Sequence, residues 1–133
     1  MANTMNVMVV SPEQVLFEGE GEMVVCRTTE GQIAFLPGHT PLLAALGTAK
    51  VRVIQPDGEF TVAVHEGFVE VTGDRVVILS DVAELPDQID VERARSAKQR
   101  AESELSSDPE NEASKSALAR ADLRLEVAEG VSG

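Results

Sequence analysis

The sequence predicts a two-part chain, an N-terminal two-sheet antiparallel β-sandwich followed by a C-terminal αα-hairpin. Three observations carry this expectation. Apolar residues alternate with period two as far as Ser80 and recur with helical spacing after Asp90. Turn signals punctuate the first part every few residues, with no helix-period stretch between them. Between the two regimes lies Glu84-Leu85-Pro86-Asp87-Gln88-Ile89-Asp90, where Pro86 locks its own φ, biases Leu85 away from helix, and is followed by a good N-cap in Asp90. Residues 1–85 are therefore assigned to the sandwich and 86–133 to the hairpin.

Within the first part, Val7-Met8-Val9-Val10, Val15-Leu16-Phe17 and Met23 to Arg27 read as short strands separated by Ser11-Pro12-Glu13 and Gly19-Glu20-Gly21. Lys50-Val51-Arg52-Val53 and Glu59-Phe60-Thr61-Val62-Ala63-Val64 alternate cleanly, so that the valines and Phe60 face inward, and Pro56-Asp57-Gly58 joins them as a hairpin. Gly73-Asp74 marks a second hairpin between Phe68-Val69-Glu70-Val71 and Val76-Val77-Ile78-Leu79. After Asp90, residues Val91, Ala94, Ala97, Ala101 and Leu105 follow helical spacing, interrupted by Lys98, up to Ser106-Ser107-Asp108-Pro109. A second helix starts near Asn111, turns Ala117, Leu118, Ala121, Leu125 and Ala128 inward, and stops at Gly130. Alanine seams let the backbones approach closely but bury little area, so the hairpin is expected to be weakly held.

A chain of 133 residues with 43% hydrophobic content has enough apolar surface for a core. The net charge of -12 argues against nucleic acid or anionic lipid as the main partner, since either needs a basic face. Positive charge is concentrated late: residues 1–89 hold 4 basic and 13 acidic side chains, and residues 90–133 hold 7 and 10. The single Cys26, in Met23-Val24-Val25-Cys26, reads as a buried small hydrophobe and fits a reducing compartment. No apolar run approaches the roughly 18 residues of a membrane span, so membrane attachment is expected only through partners.

No catalytic constellation is visible. His39 and His65 have no second soft ligand at metal spacing. Ser80-Asp81, Ser106-Ser107 and Cys26 have no base at motif spacing, and Gly31, Gly38 and Gly47 do not form a phosphate loop. The helical arginines are more informative. Arg120 and Arg124 are spaced i, i+4, with Arg93 one turn into the first helix and Arg100 two turns further on. Their spacing admits two readings: solvated charges paired with Glu92, Glu104, Asp122 and Glu126, or a polyanion site whose guanidinium forks meet phosphate oxygens.

At Gly31-Gln32-Ile33-Ala34-Phe35-Leu36-Pro37-Gly38-His39-Thr40-Pro41-Leu42-Leu43 the sequence resembles the epsilon subunits of bacterial F-type ATP synthases. Ser11-Pro12-Glu13, Gly67-Phe68-Val69-Glu70-Val71 followed by Val77-Ile78-Leu79, and the closing helical pair agree in order, so the resemblance spans nearly the whole chain. It implies a non-catalytic rotor component. The sandwich would bind the gamma subunit and the ring of c subunits, and the helices would restrain ATP hydrolysis by the alpha and beta subunits of the catalytic head. It further implies a peripheral position on the cytoplasmic face of a bacterial plasma membrane, since no Arg- and Ser-rich transit segment is visible. Three residues depart from the family pattern. Ala34 replaces a common glycine, Glu66 replaces the first of a usual Gly-Gly pair, and Gln32 stands where many members carry an acid.

The Ile89-Asp90-x-x-Arg93-Ala94 pattern resembles the ATP-sensing motif of some members, and Glu84, Arg120 and Arg124 fall where those members have ligand-contacting residues. The resemblance thus implies ATP as a regulatory ligand rather than a required cofactor, and a ring contact that includes Gln32 and His39. The alternative function class is a free-standing β-sandwich adaptor whose arginine-rich hairpin binds an acidic protein.

Overall fold

The computed structural model describes residues 3–130. The chain divides into two compact units, one ending at Glu84 and one beginning at Leu85.

The first unit contains β1 (Met5–Val10), β2 (Val15–Gly21), β3 (Met23–Thr28), β4 (Gly31–Phe35), β5 (Leu42–Gln55), β6 (Gly58–Thr72), β7 (Arg75–Leu79) and β8 (Ala83–Glu84). They are hydrogen-bonded in the order β2-β1-β7-β6-β5-β3-β4, with β8 on β6. Every other pairing is antiparallel, but β1 and β7 are parallel, which corrects the expectation of a wholly antiparallel sandwich. The parallel pair follows from topology: the chain leaves the layer after β2, builds the opposite layer, and returns through β6, so that β7 re-enters beside β1.

The two longest strands do the folding over. The segments expected as separate short strands at residues 50–53, 59–64 and 68–71 are parts of continuous β5 and β6, 14 and 15 residues long. Their ladder is interrupted at one place, where Gly47 faces Glu66 between the Leu46–Gly67 and Thr48–His65 pairs. There Glu66 has φ 65, in the left-handed region that favours glycine. The bend is tied down by Ser80, whose buried hydroxyl lies 2.6 Å from the Glu66 carbonyl oxygen and 2.9 Å from that of Val82. Gly67 leaves no room for a side chain, because a Cβ there would collide with the Leu79 carbonyl oxygen. Each long strand thereby serves both layers.

Alternation puts Met5, Val7, Val9, Val69, Val71, Val76 and Ile78 on the inner face of one layer, and Val24, Phe35, Val51, Val53, Val62 and Val64 on the other, all buried. Phe17 packs on Phe60 with centroids 4.6 Å apart, joining β2 to the β5–β6 hairpin. On that hairpin Arg52 holds Glu59 through bonds of 2.9 and 2.8 Å, which keep the Glu59 carboxyl below its ordinary range. Cys26 is buried, and burial pushes its thiol up to about 12.

The second unit begins with a single 3-10 turn, Pro86–Gln88, followed by α1 (Val91–Ser107) and α2 (Glu112–Glu129). Asp90 caps α1 by accepting from the Arg93 amide at 3.1 Å, Asn111 caps α2 through Ser114 at 3.0 Å, and Gly130 ends α2 with φ 70. Ala94, Ala101, Ser114 and Ala121 are buried at the seam, where Lys98 reaches Asp122 at 3.0 Å and Ser114 reaches Glu104 at 3.3 Å. Leu123 and Val127 are also buried, although they lie off the seam face expected for α2, where Leu118 and Leu125 are only half-buried. Packing of the 3-10 turn against α2 gives this helix a second contact face beyond the alanine seam.

Candidate functional site

The helical arginines come together through the geometry of the hairpin. At 100° per residue, Arg93 and Arg100 lie to one side of the Ala94–Ala101 seam of α1, opposite the side that carries Lys98 and Arg95. In α2, Arg120 and Arg124 lie to one side of Ala121 and Asp122 to the other. Because the Lys98–Asp122 bridge ties one pair of flanks, the antiparallel packing sets Arg93, Arg100, Arg120 and Arg124 together on the other. Arg100 and Arg120 fall at about the same height. The motif at the start of α1 lies towards one end of this flank, with Asp90 occupied as N-cap and Ile89 buried before it.

Of the two readings left open by spacing, ion pairing with neighbouring acids is not what the structure shows for most of these groups. Glu92 pairs with Arg95 at 2.7 Å rather than with Arg93, Asp122 pairs with Lys98, and Glu104 bonds Ser114. Among the described residues no ion pair is formed by Arg93, Arg100 or Arg120. Three guanidinium groups without an ion pair among the described residues, Arg93, Arg100 and Arg120, give a protein of net charge -12 a localised anion-attracting surface. Arg100 is absent from the expected ligand set although its i+7 spacing from Arg93 marks it as a member of the same flank.

Glu84 belongs to the sandwich unit, where its carboxylate accepts from Nε2 of the buried His65 at 2.9 Å. Nδ1 of His65 is buried without a partner. No sequence signal links two residues 19 apart in this way; only the pairing of β8 on β6 does. Gln32 and His39 are not neighbours along the sheet. Gln32 is exposed near the start of β4, whereas His39 follows its end, with its ring edge-on to Phe35 at 4.9 Å and the loop pinned by Gly38 donating to Asp74 at 3.0 Å. Four residue steps of extended chain run from Gln32 to Leu36, roughly 13 Å.

The sandwich carries one further surface. Leu43, Phe68 and Leu79 are 69%, 54% and 47% exposed, and the pairing of Phe68 with Ala45 and Leu79 sets an apolar stretch across β5, β6 and β7 on the outer face. Exposed apolar area of this kind in a charged protein marks a contact surface. Among the described residues no three His, Cys, Asp or Glu side chains are placed to hold a metal, and no helix is long and apolar enough to cross a membrane.

A sandwich with an apolar outer patch, followed in the chain by an arginine-flanked hairpin, defines a class of two-part proteins that present contact surfaces. Comparison with known proteins makes this specific. Residues 4–86 match the ATP synthase Delta/Epsilon chain beta-sandwich domain, and residues 87–129 match the ATP synthase Delta/Epsilon chain long alpha-helix domain. The ATP synthase epsilon chain of Brevibacillus brevis is 50% identical over 102 residues, covering 76% of this chain and 77% of its own. That of Staphylococcus aureus is 45% identical over 131 residues, covering 96% and 98%. The fold also resembles a chain in the Euglena gracilis mitochondrial ATP synthase structure with OSCP, F1 and c-ring, with TM-score 0.70, 21% identity, and coverage of 95% of this chain and 78% of that one. The chain belongs to the ATP synthase epsilon chain family.

Proposed function

We propose that this chain is a non-catalytic central-stalk subunit of a proton-translocating F-type ATP synthase. Its sandwich binds the gamma subunit and the ring of c subunits, and its hairpin restrains ATP hydrolysis by the alpha and beta subunits. The observation that carries this is a family match over both units combined with the exposed apolar face of Leu43, Phe68 and Leu79, a surface suited to permanent docking. The protein reaches the membrane only through the complex, on the cytoplasmic face of a bacterial cell. Gln32 and His39, set at the two ends of β4, are candidate ring contacts.

The same reading makes ATP a regulatory ligand of the hairpin. Arg93, Arg120 and Arg124 offer charge-assisted bonds to phosphate oxygens, and their common flank supports that role. Carboxylates repel phosphate, so Asp90 belongs at the adenine or in support, and its bond to the helix start fits a supporting position. The deciding experiment is affinity purification of the tagged chain from its own cells. Recovery with gamma, c, alpha and beta subunits is expected, and recovery without any ATPase subunit would favour a free-standing adaptor.

A further inference from the structure

Beneath the apolar outer face lies an open groove of about 680 Å³, wholly within the sandwich unit. Phe68, Leu79 and Pro12 line it together with Glu66, Asp81 and His65. Its apolar walls suit an aliphatic side chain. Glu66 and Asp81 are exposed, no basic residue lines the groove, and neither acid forms an ion pair among the described residues. The groove therefore combines apolar contact with two carboxylates, and carries no lysine or arginine of its own.

Resting on the assignment of the sandwich as the gamma-binding part, we infer that this groove receives a gamma-subunit segment that presents an aliphatic side chain flanked by lysine or arginine, with Glu66 as the charge-selecting residue. Charge complementarity singles out this occupant. An acidic segment would meet two unpaired carboxylates, and a purely apolar one would leave them desolvated at its rim. Glu66 is the determinant because it lies at the bend beside Phe68, where the left-handed backbone suits glycine and the side chain is exposed. A carboxylate at that position adds charge to the groove and nothing to the core.

The test measures binding of the full chain to the isolated gamma subunit by titration calorimetry at low and high salt. The variants are Glu66→Lys, Glu66→Gln and Phe68→Ser, each checked for an intact melting transition. Glu66→Lys is expected to weaken binding about tenfold at low salt and Glu66→Gln about threefold, with both differences shrinking as salt screens them. Phe68→Ser is expected to weaken binding at least tenfold at either salt concentration. Unchanged or tighter binding by Glu66→Lys would overturn the inference, as would indifference to Phe68→Ser, while leaving the subunit assignment standing. Failure of the unaltered chain to bind gamma would overturn both.

Discussion

Replacing Glu66 by glycine should make the sandwich more stable, contrary to the usual effect of introducing glycine into a strand. Glu66 sits at φ 65, where a Cβ approaches the following carbonyl oxygen at a cost of about 1–2 kcal/mol. Its side chain is exposed and forms no ion pair among the described residues, so little is lost on removing it. The greater freedom of glycine in the unfolded chain offsets part of the relief, leaving a gain of about 1 kcal/mol. For a domain of this size that is a rise of roughly 4–8 °C in Tm. The neighbouring position provides the opposite sign: Gly67→Ala drives a Cβ into the Leu79 carbonyl, a rigid backbone group, and should cost about 2 kcal/mol or more. The chain has no Trp and no Tyr, so differential scanning calorimetry is the suitable assay. A lower Tm for Glu66→Gly, or a Gly67→Ala variant as stable as the parent, would refute the account of the bend.

Other predictions concern the two units. Truncation after Glu84 should leave a folded sandwich, seen as retained β-type circular dichroism, that still joins the gamma subunit; an unfolded fragment would contradict the division at that residue. Deleting residues 90–133 should raise the ATPase rate of the assembled complex, and the restraint in the intact complex should weaken with salt; an unchanged rate would remove the regulatory role of the hairpin. Arg93→Ala or Arg124→Ala should weaken ATP binding in titration calorimetry without moving the melting transition of the sandwich. Absence of any heat or chemical-shift change for the parent at millimolar ATP would return these arginines to a protein-facing role. Asp90→Ala should cost the hairpin about 1 kcal/mol through loss of the N-cap bond, read as reduced helical ellipticity.

If ATP binds the hairpin, its leverage has a bound. Ligand at a hundred times its Kd contributes about 2.7 kcal/mol, whereas moving a population from 1:99 to 99:1 takes about 5.5 kcal/mol. ATP can therefore tip a nearly balanced hairpin but cannot fold one that strongly prefers another state. Leu123 and Val127 raise the stability of the hairpin above what the alanine seam alone would provide, and so shift that balance towards the folded form.

Features set by local chemistry were legible in the sequence. The change from period two to helical spacing at Asp90, the caps at Asp90, Asn111 and Gly130, and the turns at Pro56-Asp57-Gly58 and Gly73-Asp74 all depend on residues adjacent in the chain. The family resemblance was legible for the same reason, being carried by contiguous runs such as Leu36-Pro37-Gly38-His39. What only the tertiary structure decided are the relations between distant segments. The parallel pairing of β1 with β7 depends on the path the chain takes through the opposite layer. The bond between His65 and Glu84 depends on a two-residue strand laid against β6. Whether Arg93, Arg100 and Arg120 are paired turned on which acid each cation meets on and across the two helices, and periodicity places a side chain on a face without naming its partner. The departure at Glu66 was visible as a residue standing where glycine is usual. That it occupies the left-handed bend by which two long strands cross between layers could be known only once the ladder between β5 and β6 was in place, because backbone conformation at a bend is set by the layers it joins.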